Sequence, residues 1–166
     1  METTARRGIA GLAAAALLPV MAAVVVTAVP ASAADIGHRR GPSGLGSVIH
    51  RADRGDPRAE TMLCYMSYHG RGVPQSYAAA VDWCTRAAHQ GQPDAQYLLG
   101  LMYDKGFGID LDVIKAYKWL NLAAARAAPY NRESYASVRD AVASKMTSDQ
   151  LVIGQKLALE FIATRP

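Results

Sequence analysis

Catalytic equipment is scarce in this sequence. No Gly-x-Ser-x-Gly turn is present to hold a nucleophilic serine, and no glycine-rich stretch leads into a phosphate-binding lysine. There is no Cys-x-x-Cys, and none of the four histidines, His38, His50, His69 and His89, has another four residues away on the same helix face. His69 and His89 fall at opposite ends of successive helices, about 20 Å apart at a rise of about 1.5 Å per residue. No metal and no cofactor are expected. Asp110 and Asp112 are close together, but they stand just before a helix start, where the helix dipole favours anions, and that role accounts for them. Function must be argued from a site, and with none in view the chain is not expected to be an enzyme.

Charge of one sign is also in short supply. The formal net charge is +4, and removing Arg6, Arg7 and Glu2 with the first 33 residues leaves 16 basic and 13 acidic residues. These form no basic stripe able to displace counterions, so nucleic acid is excluded as a partner class. The N-terminal 33 residues are uncharged from Gly8 to Val29, after Arg6-Arg7, and end in Ala31-Ser32-Ala33, a small-x-small cleavage site. They read as a signal peptide. The apolar run of about 22 residues is also long enough for an uncleaved anchor associating with a membrane through Gly8 to Val29. Either way the rest of the chain is expected outside the cytoplasm, periplasmic or otherwise exported, and anchored to the inner membrane if the segment is kept. Residues 34–44, with three glycines and one proline around His38-Arg39-Arg40 and no apolar period, read as a flexible linker.

What the chain does have is a repeat. Shifted by 36 residues, Pro57 falls on Pro93, Ala59 on Ala95, Leu63 on Leu99, Met66 on Met102, Gly70 and Gly72 on Gly106 and Gly108, Ala80 on Ala116 and Trp83 on Trp119. A fixed period of this size marks a stack of supersecondary units. Repeats are expected over residues 56–91 and 92–127, preceded by a half-repeat at 45–55 and followed by capping helices over 129–163.

Each repeat divides into a first helix, a glycine-rich turn and a second helix. Asp56-Pro57 supplies an N-cap and a first-turn proline, with Gly55 left-handed just before it, and Gly91-Gln92-Pro93 repeats this with a weaker cap. Ala59, Met62, Leu63 and Met66 are expected to be buried by the first helix. Gly100 faces Ala116 to let two backbones approach, and Trp119 fills the space between layers. In the third copy the helix from Pro129 should run to about Lys145. Thr147 and Gln150 then form a capping box before a last helix with Leu157, Ala158 and Phe161 on its inner stripe and a polar outer face. Cys64 lies opposite Ala80 in the register and Cys84 one turn further on. A disulfide is within reach near the upper Cα separation of about 7 Å, and the alternative is two small buried thiols.

The run Ala95-x3-Leu99-Gly100-x2-Tyr103-x2-Gly106-x-Gly108-Ile109, then Lys115-Ala116-x2-Trp119 and Ala123-Ala124, resembles the Sel1-like repeat, a relative of the tetratricopeptide repeats. The first copy departs from it at Cys64 and Ser67, where the pattern has Gly and Tyr. The resemblance covers roughly Leu45 to Phe161. It implies an all-α fold, a right-handed α-α superhelix, and a non-enzymatic adaptor that binds a protein or peptide and regulates or scaffolds an envelope component. Two other roles stay open: an accessory subunit of a membrane protein complex, and a cell-wall or β-lactam hydrolase. The last is suggested by cysteine-rich relatives whose regular cysteine placement this chain lacks. In such a stack the first helices line the binding face. That assigns Arg58, Thr61, Tyr65, Tyr68 and His69 from the first repeat, with Asp94, Tyr97, Leu101, Asp104 and Lys105 from the second. The tyrosines supply rigid amphipathic surface of the kind found at binding hot spots.

Overall fold

The computed structural model describes residues 44–164. The export or anchor segment and nearly all of the linker lie outside the described residues. Among these there are seven helices and no strand: α1 Leu45–Asp53, α2 Pro57–His69, α3 Tyr77–His89, α4 Pro93–Lys105, α5 Val113–Arg126, α6 Pro129–Ala143 and α7 Ser148–Ala163. They form a solenoid of helical repeats, in which α2–α3 and α4–α5 are full repeats and α1 packs on α2 in the register of a second helix. Each helix packs on the next as far as α6, and α7 turns back onto α5.

The helix starts follow from the punctuation. Asp56 accepts the N–H groups of Arg58 (2.9 Å) and Ala59 (3.4 Å), and Asp112 those of Ile114 (3.1 Å) and Lys115 (2.9 Å). Caps of this kind stabilise by about 1 kcal/mol each. The Thr147–Gln150 box closes in both directions, at 3.3 and 2.9 Å. Gln92 and Ala128, which precede α4 and α6, make no side-chain cap. Helix α6 stops at Ala143, two residues before the expected Lys145. There the N–H groups of Lys145 and Met146 reach back only three residues, to Val142 and Ala143, and tighten the last turn.

Packing between layers reuses the repeated positions. Ala59 and Leu63 close on Val48 and Ala52 of α1, while Leu99, Met102, Leu122 and Trp119 form the central core. Trp119 is 4% exposed and meets the rings of His89 at 5.3 Å and Phe161 at 5.1 Å, so it joins α3, α5 and α7. The second glycine of the turn is required twice over. Gly108 has φ +71°, and a Cβ there would lie 2.5 Å from the backbone of Tyr77, so the turn of one repeat sits directly on the start of α3. Polar contacts seal the same joints. Arg86 donates to the Ala52 carbonyl (2.8 Å) while pairing with buried Glu60 (2.8 Å). One layer on, Gln96, in the position of Glu60, donates directly to the Ala88 carbonyl (3.1 Å).

Gly100 behaves as its placement demanded, for a Cβ would stand 2.7 Å from Cγ of Leu120 and 3.2 Å from the Ala116 oxygen. Thirty-six residues before Gly100 and Leu120 stand Cys64 and Cys84. Both are fully buried, and they are joined in a disulfide with Cα atoms 5.0 Å apart. Where the second repeat sets a missing side chain against a leucine, the first sets two sulfurs against each other and bonds them.

Two expectations fail. Met62 is not core: it is 50% exposed, because it points along α2 toward the free face rather than into the joint with α1. The outer face of α7 is not polar either, since Val152, Ile153, Leu159 and Ile162 are exposed on it while Gly154 and Ala158 take the buried side. The close approach of Gly154 to Tyr117, where a Cβ would lie 2.8 Å from a ring carbon, fixes which side faces inward.

Candidate partner-binding groove

The first helices α2, α4 and α6 share one face, and two adjoining cavities open on it. One, of about 480 Å³, is lined by Arg58, Thr61, Met62, Tyr65, His69, Asp94, Tyr97, Leu98, Asn131 and Tyr135. The other, of about 600 Å³, adds Gln92, Pro93, Arg126, Ala128 and Tyr130 to Arg58, Thr61 and Asp94. The shared residues make them one groove across three helices.

Its floor is tied by a tyrosine pair. Tyr97 and Tyr135 stack with centroids 4.1 Å apart and planes 9° from parallel. The Tyr135 hydroxyl donates to Asp94 at 2.7 Å and accepts from the Asn131 amide at 3.3 Å. Burial, reinforced by the hydrogen bond to the Asp94 carboxylate, holds the Tyr135 phenol well above the ordinary tyrosine range, and burial raises Tyr97 as well. At the other end Tyr65, 39% exposed, leans on His69 with centroids 4.3 Å apart and carries the Arg71 guanidinium over its ring at 5.4 Å. Thr61 donates its hydroxyl to the Pro57 carbonyl (2.7 Å), so that proton is engaged within the helix.

Six of the ten assigned residues therefore line the groove: Arg58, Thr61, Tyr65, His69, Asp94 and Tyr97. Four do not line either cavity. Tyr68 packs between layers against Tyr77 (5.5 Å) and Phe107 (6.4 Å), and burial raises its phenol. Leu101 packs on the central core. Asp104 is 8% exposed and bound by Lys105 and by Lys145, each at 2.9 Å. Burial alone would raise its carboxyl, but the two ammonium groups outweigh that and hold it below the usual carboxylate range. Lys105 is spent on the same ion pair. Tyr97 lines the groove but packs against three core clusters, so its role is largely structural.

The residues that were missed come from α6 and from the joints. Tyr130 stands 36 residues after Asp94 and 72 after Arg58, so the register alone could have supplied it. Tyr135 occupies the register of Leu63 and Leu99, and nothing in its spacing distinguished it from core. Among the described residues no group of three His, Cys, Asp or Glu is arranged to hold a metal ion, and no helix is long and apolar enough to cross a membrane.

A stack of two-helix units with a groove along its first helices defines a helical-repeat protein of the solenoid class. Residues 57–92 and 93–127 each match the Sel1 repeat, so this part of the chain consists of two Sel1 repeats. Sel1 repeats are generally protein–protein interaction modules. The structure is similar to that of a protective antigen present in uropathogenic Escherichia coli strains displaying an SLR fold. That pair has 26% identity and a TM-score of 0.65, over 72% of this chain and 25% of that one. It is also similar to a Sel1 repeat protein from Oxalobacter formigenes, with 33% identity and a TM-score of 0.50, over 55% of this chain and 26% of that one. The chain thus spans about a quarter of the length of either structure. Among curated proteins none matches.

Proposed function

We propose that this protein is an exported, non-enzymatic adaptor that holds a segment of a protein partner in the groove of α2, α4 and α6, and so scaffolds or regulates an envelope component. The observation that carries the reading is the coincidence of the two cavities with the face that the repeat register assigns to binding. Within it Tyr65 and Met62 are exposed side chains that no layer needs, and aromatic and thioether groups are the usual anchors of adaptable interfaces. The Cys64–Cys84 disulfide supports a place outside the cytoplasm, because such bonds persist in oxidising compartments.

A photo-crosslinking residue introduced at Tyr65 in the producing cell tests this. It should trap a discrete protein, and a crosslinker at exposed Val152 on α7 should not trap the same one. Equal trapping from both positions, or none from Tyr65, refutes the groove as the binding face. The mass of the purified protein tests the location: loss of the first 33 residues is expected, and an intact N-terminus would make it a membrane-anchored subunit instead.

A further inference from the structure

Among the groove's charged side chains, the arginines outnumber the one acid, Asp94. Arg58 and Arg126 both line the 600 Å³ cavity and are exposed, and neither guanidinium forms an ion pair within the described residues. Arg71, resting on Tyr65, adds a third guanidinium at the far end. Asp94, the one acid in the cavities, accepts the Tyr135 hydroxyl on one carboxylate oxygen, so two arginines stand there to a single carboxylate. Unpaired arginines beside an apolar recess match a carboxylate-bearing chain, because the planar guanidinium binds carboxylates through paired hydrogen bonds and gives up its hydration readily. A neutral or basic segment would leave these charges uncompensated as the groove closed over them.

Resting on the adaptor role above, we infer that the groove takes an acidic peptide segment of the partner. An aspartate or glutamate side chain sits between Arg58 and Arg126, and an apolar side chain a few residues away enters the recess between Met62, Tyr65 and Leu98. Charge sets the partner class, while the recess sets register along the groove.

The experiment is selection from a phage-displayed library of random peptides about a dozen residues long. It is run on the immobilised purified protein and in parallel on Arg58→Glu/Arg126→Glu, with helicity and melting midpoint checked on both. The parent should enrich Asp and Glu at least about threefold over the unselected library, with an apolar residue nearby. Selected peptides should bind the double variant at least about tenfold more weakly, and the variant should itself enrich Lys and Arg. Acidic peptides whose affinity the charge reversal leaves unchanged overturn the inference. So do peptides with no acidic bias, and if their binding is lost in Met62→Ala or Tyr65→Ala they leave the adaptor role standing. If no selected peptide depends on Met62 or Tyr65, both the inference and the groove reading fall. Should the charge-reversed variant melt early, Arg58→Gln/Arg126→Gln replaces it, and the acidic enrichment should disappear.

Discussion

The Cys64–Cys84 bond and the Gly100–Leu120 contact solve one packing problem in two ways, and exchanging them measures how alike the layers are. The bridge closes a sequence separation of 20 residues. Constraining the unfolded chain over that length stabilises the fold by about 3 kcal/mol at room temperature. For a folded part of roughly this size 1 kcal/mol corresponds to about 4 °C, so reduction should lower the melting midpoint by about 12 °C. Cys64→Ala/Cys84→Ala should melt near the reduced parent and ignore reductant. Cys64→Gly/Cys84→Leu imports the second repeat's own pair. Relative to the alanine pair it adds a net two buried carbons, worth about 1.6 kcal/mol, and loses about 1 kcal/mol for glycine within a helix. It should therefore exceed the alanine pair by about 0.6 kcal/mol, or about 2 °C. Melts followed by circular dichroism, with and without reductant, decide the matter. A parent midpoint indifferent to reductant refutes the bond. A glycine–leucine variant less stable than the alanine pair refutes the equivalence of the two layers.

The converse test is Gly100→Ala, which drives a Cβ to within 2.7 Å of Leu120. It should cost about 1–3 kcal/mol in urea unfolding, whereas alanine at a tolerant helical glycine would stabilise. Tyr135→Phe should cost about 1 kcal/mol for the lost bond to Asp94, at the low end for a charged acceptor because exposed Asp94 rehydrates. The same variant has a pH signature. The folded phenol is raised above its ordinary 10.0, chiefly by burial and then by Asp94, so the native state keeps its proton while the unfolded chain ionises. The associated stability is complete below pH 10 and is lost as pH rises beyond it. Tyr135→Phe should flatten that alkaline loss, with Tyr68 and Tyr97 leaving a residual slope; an unchanged pH profile would exclude Tyr135 as its source.

The parts of the fold that were legible are those that the layers enforce. Ala59/Ala95, Leu63/Leu99 and Trp83/Trp119 repeat because each joint presents the same space, and Gly72/Gly108 because the turn holds both at positive φ, +76° and +71°. Failures occurred where no joint constrains the side chain. Met62 satisfies the helical period but lies at the edge of the buried stripe, which periodicity alone cannot resolve to one residue. The outer face of α7 broke the expected polar pattern where no layer among the described residues packs on it. Tyr68 and Asp104 share a register position and were both assigned to the groove. One is held by aromatic packing and the other by two lysines, and in each case one partner, Phe107 or Lys145, lies about 40 positions away in sequence.

That contrast favours the groove as the proposed binding face. Across the two copies the joint positions are largely identical, yet the pairs that look into the groove differ almost throughout: Arg58 against Asp94, Thr61 against Tyr97, Met62 against Leu98. A stack built only to stack would have no reason to place a cation in one copy where the other has an anion. The difference makes the groove asymmetric along its length, with free arginines toward the α4 and α6 starts and an exposed tyrosine toward the α2 end. An asymmetric groove fixes the direction in which a bound chain must run, which a symmetric one could not. On the proposed function the repeat supplies the rigid frame, and the departures from it would carry the specificity. Making the copies alike by Arg58→Asp and Met62→Leu should therefore keep the fold and cost the protein its preference among selected peptides. If that preference survived in a variant of parental stability, the divergent positions would not be what reads the partner.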